Sequence, residues 1–373
     1  MTPLQAATHA DPYAYYARLR RHDELMFDAD LGLWIASRAD TVEAVLAHPD
    51  CRVRPPHEPV PKAIAQGAAG QVFARLMRMN EGPAHRCPRA AIEPALAAVD
   101  APLVADVMAS LIDGVDDLEA LMFSVPVSVI AALLGFQAQQ LASVAALTRD
   151  FVACLSPLSS EAQLLESDAG ASQLRRMFSG LLAETALLAQ IREGDWQDAD
   201  RLTANLIGLL SQTCEASAGL IGNSLVMLAR QPELIDRVQR TPALVMALVE
   251  EVARYDSPVQ NTRRFVAARC TIGNRVLEVG DTVLVLLASA NRDSAANPSP
   301  DSFLLERAQR RLFSFGSGRH QCPGQRLALT IASQALLALL HRQPALLAGA
   351  CRFSYWPSLN GRIPRFHKLV PTQ

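Results

Sequence analysis

Leucine, alanine, valine and isoleucine recur at three- and four-residue steps over residues 101–150, 170–192, 197–231, 241–255 and 323–343. That spacing lines one face of an α-helix with apolar side chains and predicts that helices dominate. Runs with strand character are fewer and shorter, at 31–36, 264–268, 271–277 and 281–289. No regular β-α alternation links them, so the pattern predicts a mainly α fold with a small β region. Prolines crowd residues 55–61, PPHEPVP, and make 48–80 an irregular segment of the kind that serves as a lid or binding loop. Residues 291–311, beginning NRDSAANPSPDSF, read as a meandering coil. No repeat, low-complexity tract or linker interrupts the chain, which is expected to form one domain over 1–373.

Composition narrows the classes. Half of the 373 residues are hydrophobic and 19% are charged, enough apolar surface for a core that needs no disulfide or metal merely to fold. The formal charge of −2 excludes a nucleic-acid binder that runs on bulk electrostatics. Seven scattered cysteines, none in a CxxC pair, form neither a zinc pattern nor a disulfide framework and suit a reducing, cytoplasmic setting. The N-terminal stretch is polar, and no uncharged apolar run approaches the ~18 residues of a membrane span. Membrane and secretory classes are therefore not expected.

The chemistry concentrates at 313–324, FSFGSGRHQCPG. Gly316 and Gly318 open backbone angles closed to other residues, so the main chain can pass close to a flat ligand. Cys322 precedes a long apolar helix, whose free N–H groups and dipole favour a thiolate, as an axial metal ligand requires. The segment FGSGRHQCPG resembles the haem-thiolate signature of the cytochrome P450 family. The resemblance continues through residues 249–260, VEEVARYDSPVQ, where Glu251 and Arg254 stand three apart on one helical face, and through NRD at 291–293. It implies a single-domain P450-like fold with haem b held between a distal helix at 197–231 and a proximal segment at 313–343. Cys322 would be the iron ligand, with Phe315, Gly316 and Gly324 shaping the loop around it. His85, Arg89, Arg264 and His320 fall where the family places partners of the haem propionates, which need charge-assisted donors. Two departures stand out. Pro88 lies between His85 and Arg89 and predicts a late helix start or a shifted contact. Ser302 occupies the place of an arginine that usually completes the Glu251–Arg254 network, for which Arg307 can substitute.

The distal helix departs most. Aligned on LIGN (220–223), Glu215 falls at the family's acidic position, but the relay threonine after it is Ala216. Thr213 replaces the glycine at which the helix normally bulges. Thr213 and Ser217 are four apart and share a face, so either can hold a relay water, or each can bond a carbonyl one turn back. Three routes stay open: a substrate hydroxyl or carboxylate supplies the relay, peroxide is the oxidant, or the oxidation is atypical.

The resemblance thus implies a monooxygenase acting on a small organic, biosynthetic substrate, free or carrier-tethered. The expected pocket walls are Leu209, Leu210, Thr213, Ser217, Val259, Asn261 and the 48–80 loop. Electrons would come from a ferredoxin- or flavodoxin-type partner with its reductase, because the chain has neither a dinucleotide-binding unit nor an iron–sulfur cysteine cluster. Arg86 and Arg319 are candidates for the docking face. The competing readings are a peroxide-dependent oxygenase and a haem-free, P450-like activating partner.

Overall fold

The structure is a computed structural model that describes residues 1–22 and 25–367. Its elements begin with α1 (Tyr13–Leu19), β1 (Met26–Asp28), β2 (Leu33–Ala36), α2 (Ala39–Ala47) and β3 (Cys51–Arg52). The segment 48–80 is more ordered than its prolines predict, because it contains α3 (Ala68–Arg75). Ala69, Val72 and Phe73 give that helix a buried face, and Asp168 accepts the Ala69 N–H at 3.0 Å, satisfying one donor of its first turn.

α4 (Pro83–Ala97) starts with a proline at its first position, where the missing N–H costs nothing. It then runs through Pro88 and Pro94 without ending. The late start that Pro88 predicts does not occur: burial of His85, Ile92, Ala95 and Leu96 along one face offsets the lost backbone bonds. The apolar stretch 101–150 is three helices, α5 (Ala101–Ile112), α6 (Val125–Leu133) and α7 (Ala138–Val152). Gly135, at φ 101°, turns the chain between the last two. Stretch 170–192 likewise divides between α8 (Glu161–Ser179) and α9 (Ala186–Arg192), whereas 197–231 is continuous as α10 (Ala199–Arg230).

α11 (Glu233–Arg240) and α12 (Leu244–Tyr255) lead into β4 (Thr262–Val266), β5 (Cys270–Ile272), β6 (Arg275–Leu277) and β7 (Thr282–Val285). The expected strand 271–277 is therefore a hairpin turning at Gly273, and 281–289 changes from strand to the short helix α13 (Leu287–Asn291). After α14 (Gln325–Arg342), a final pair, β8 (Phe353–Tyr355) and β9 (Pro364–Phe366), has no counterpart in the sequence reading.

The contacts divide the chain into two compact units. The first comprises Met1–His57, Gly219–Cys322 and the chain from Ala348. It holds a five-stranded sheet ordered β1-β2-β7-β4-β3, in which β2 and β7 run parallel and the other neighbours antiparallel. The second, Glu58–Ala218 with Pro323–Leu347, is helical; α7 packs on α8 and α5 on α14. Among the described residues, no single helix is long and apolar enough to cross a membrane.

Candidate functional site

In the sheet unit, the cysteine loop is fixed from three directions. Its own backbone closes it: Gly316 N–H donates to Phe313 O at 2.8 Å, and Cys322 N–H to Phe315 O at 2.9 Å. Gly316 and Gly318 have φ of 69° and 68°, the region where a Cβ is strained. Asn291 then ties the loop to the end of α12. Its side-chain amide donates to Ser257 Oγ at 2.7 Å and Ser314 Oγ at 2.8 Å, while its carbonyl oxygen accepts the Phe313 N–H at 2.7 Å. Finally, Arg319 donates to the carbonyls of His48, Pro49 and Cys51, just past the C-terminus of α2. Those bonds brace the loop against the end of α2; Arg86 is exposed. Cys322 itself lies three residues before the first residue of α14, so the loop, rather than the first helical turn, presents its half-buried thiol.

Beneath the loop lies a buried charge network. Glu251 and Arg254 are fully buried and bidentate, at 2.7 and 3.1 Å. Arg307 donates to Glu251 as the sequence anticipated, and Arg310, which it missed, donates to Glu251 at 2.9 Å and Glu250 at 2.6 Å. The Leu304 N–H adds a fourth donor. These donors hold the Glu251 carboxyl below its ordinary value despite burial. Arg254 also donates to the carbonyls of Asn291, Pro300 and Ser302, which pins the coil after α13.

Of the four expected propionate partners, Arg264 sits on β4, 6% exposed, with Nη1 donating to Arg263 O at 2.8 Å. His320 closes a short helical turn within the loop. In the helical unit, His85 is 5% exposed in the first turn of α4. Arg89 is held by Glu93 one turn on, at 2.8 and 3.0 Å, so part of its donor capacity is already used. Val259 packs on the sheet-unit core and bridges to Gly361, and Asn261 donates to Leu359 O at 2.8 Å. Both brace the C-terminal segment.

Leu209 and Leu210 are buried on α10 in the helical unit. Thr213 Oγ1 donates to Leu209 O at 2.8 Å, so its hydroxyl proton is engaged one turn back. Ser217 is buried, and its hydroxyl bonds no other described residue. Glu215 presents surface, yet burial raises its carboxyl pKa, with the Arg78 guanidinium opposing. Four residues on, in the sheet unit, Gly219 lets the helix approach the chain closely: a Cβ there would stand 2.9 Å from Pro258 Cβ and 3.0 Å from Arg362 O. Asn223 fixes the same contact by donating to Asp256 O at 2.8 Å and Arg362 O at 3.2 Å.

The donor set suits a haem. A thiol outside any disulfide is a soft iron ligand, and a Cβ placed on Gly316 would meet only His320 O, at 3.8 Å, so the loop is open beside it. Buried Arg264 and His85 are the donor types that carboxylate groups need.

A family model described as cytochrome P450 matches residues 175–343. The monooxygenase PikC of Streptomyces venezuelae is 31% identical over 359 residues, covering 90% of this chain and 85% of that protein. The chain belongs to the cytochrome P450 family. Its members are haem-iron monooxygenase oxidoreductases with cysteine-thiolate ligation, and they use redox partners and small substrates. Among solved structures, econazole-bound CYP164A2 of Mycobacterium smegmatis matches with a TM-score of 0.77, 28% identity and 96% coverage of each chain. P450BioI, crystallised with acyl carrier protein ligated to hexadec-9Z-enoic acid, matches in fold at a TM-score of 0.80 and 24% identity, covering 95% of this chain and 97% of its own.

Missed by sequence reasoning were Arg310, the roles of Asn291 and Arg319, and Arg78. NRD was recognised as a motif, but its bonds to 313 and 314 span a coil that no periodicity describes. Arg310 and Arg319 carried no signal beyond being two of many arginines.

Proposed function

We propose that this P450 oxidises a small organic biosynthetic intermediate using haem b ligated by Cys322, with electrons delivered by a separate ferredoxin- or flavodoxin-type carrier. The observation that carries the reading is the cysteine loop, in which backbone bonds and two left-handed glycines hold the thiol of the family signature half-buried and outside any disulfide. Cys322 would hold the iron, Phe315 and Gly316 would line the loop beside it, and Gly324 would cap α14. Arg264, His320, His85 and Arg89 would bind the propionates. When bound, the haem supplies O–O cleavage, which its thiolate ligand favours by pushing electron density onto the metal.

The remaining chemistry is proton handling. With Ala216 at the relay position and Thr213 Oγ1 engaged with Leu209, Ser217 Oγ is the hydroxyl of the α10 face left to hold and pass a proton. Glu215, whose carboxyl stays protonated to higher pH than usual, is a reservoir on the same helix. Water or a substrate hydroxyl or carboxylate completes the path. Carrier-tethered substrate belongs to the reading because P450BioI, which shares this fold, is crystallised with an acyl carrier protein bearing a fatty acid. The Ala216 departure favours one second reading, in which peroxide brings its own protons; turnover with peroxide alone, and none with reductant and partner, would establish it instead.

The test is the ferrous carbon-monoxide difference spectrum of the purified protein. A strongly red-shifted Soret band, lost in Cys322→Ser, is expected. A band at the neutral-ligand position in the wild type, or no haem band after supplementation, sinks the assignment.

A further inference from the structure

Arg78 lies in the short turn Met77–Met79 between α3 and α4. The turn is rigidly held. Met77 N–H donates to Asn205 Oδ1 at 2.8 Å, Asn205 Nδ2 donates to Arg75 O at 3.0 Å, and Asn80 Nδ2 donates to Leu76 O at 2.8 Å. Leu76 also packs against Gly208, where a Cβ would stand 2.9 Å from Leu76 Cδ2. These contacts fix the backbone that carries Arg78 against α10.

Two nearby arginines find a partner: Arg75 and Arg175 both pair with Asp200, at 3.8 and 3.1 Å. Arg78 does not. Its Nε is buried without a hydrogen-bond partner, and its guanidinium forms no ion pair among the described residues. Burial lowers its pKa, with Cys154 and Glu215 the groups whose charge acts on it. Burial in turn pushes the Cys154 thiol up to about 11, so it stays neutral, and raises Glu215. A half-buried guanidinium whose Nε is buried without a hydrogen-bond partner and without a full counter-charge is costly unless something else supplies that charge. A planar five-donor fork on a pinned turn is prepared for a planar acceptor such as a carboxylate.

We propose that Arg78 is the anion subsite of the substrate pocket and binds a substrate carboxylate beside Glu215. The inference rests on the oxygenase reading and names its substrate class. A carboxylate held there also adds a like charge next to Glu215 and keeps that side chain protonated, which couples substrate binding to the proton reservoir on α10.

The experiment uses the full-length holoenzyme and a panel of straight-chain, branched and aryl carboxylic acids, each with its methyl ester. Affinities come from equilibrium dialysis, which needs no turnover. At least one acid is expected to bind tenfold or more tighter than its ester, and Arg78→Gln to remove that preference by weakening the acid while leaving the ester unchanged. Arg78→Lys, which keeps the charge but not the fork, is expected to retain part of the preference and serves where the glutamine variant does not fold. A wild type that favours no acid over its ester, or an Arg78→Gln enzyme that keeps the preference, overturns the proposal. The carbon-monoxide spectrum of the same samples separates this failure from failure of the haem-thiolate reading.

Discussion

Arg307 donates from Nε to both carboxylate oxygens of Glu251, at 3.2 Å each, across 56 residues of sequence. With Arg254 and Arg310 on the same carboxylate, one buried anion organises three guanidinium groups and, through Arg254, the coil between α13 and the cysteine loop. Breaking a buried pair by removing one partner costs about 3–5 kcal/mol, because the other charges stay buried. Glu251→Gln is therefore expected to lower the unfolding free energy by that order and to reduce haem retention. Denaturant unfolding with the Soret band followed in parallel checks both; a loss under about 1 kcal/mol would mean the network is solvated.

The same carboxylate sets an acid limit. Its folded pKa lies below the ordinary 4.5, so its contribution is present above the unfolded pKa and disappears as pH falls through the folded one. Wild-type stability should drop steeply below about pH 4.5, and the Glu251→Gln variant, already lacking the contribution, should show a flatter profile. Parallel acid slopes in the two proteins would assign the loss to other groups.

Much of this arrangement was legible in the residues. The spacing of apolar positions located α10, α12 and α14 to within a few residues, because each is long and has a buried face. Glu251 and Arg254 were readable as a pair because they share a helical face, and Arg307 as their partner through the family resemblance. What escaped was set by contacts distant in sequence or by breakers inside apolar stretches. Residues 101–150 look continuous until Gly135 turns them, Arg310 has no local pattern, and Arg319 finds its carbonyls about 270 residues back. Pro88 misled in the opposite direction, since packing of the α4 face outweighs one missing backbone bond.

The cysteine loop depends on two left-handed glycines. A side chain at such a position costs about 1–2 kcal/mol, and more where it meets backbone: a Cβ on Gly318 would lie 3.3 Å from Leu46 O, whereas one on Gly316 meets nothing closer than 3.8 Å. Gly316→Ala is expected to lose roughly that strain energy and keep the red-shifted Soret band. Gly318→Ala should lose more and yield a mixture of thiolate and neutral-ligand bands. Equal effects would show that strain alone, without the contact to α2, governs the loop.

Thr213 and Ser217 share a face of α10 but not a hydrogen-bonding state. Thr213→Val removes a bond to Leu209 O that the helix tolerates losing, so product formed per reductant consumed should change less than twofold. Ser217→Ala removes the uncommitted hydroxyl and should lower that ratio by about a hundredfold, the lower end of what a positioned proton donor contributes. Ala216→Thr should raise the ratio if water supplies the relay, and lower it if substrate fills that space. Loss on Thr213→Val with none on Ser217→Ala would exchange their roles.

Glu215 gives the stability curve a feature opposite in sign to that of Glu251. Its folded pKa is raised, so it favours the folded state while protonated and loses that advantage as pH rises from the unfolded value through the folded one. Glu215→Gln mimics the protonated form at every pH. It is expected to match the wild type near pH 3, about one unit below the ordinary carboxylate midpoint, and to exceed its melting temperature near pH 8. Arg78→Gln should enlarge the difference, because it removes the guanidinium that opposes the rise. If Glu215→Gln instead melts lower than wild type near neutral pH, Glu215 is ionised and already neutralises Arg78. The substrate carboxylate would then have no unmet charge to satisfy, so this one curve bears on the distal proton reservoir and on the anion subsite together.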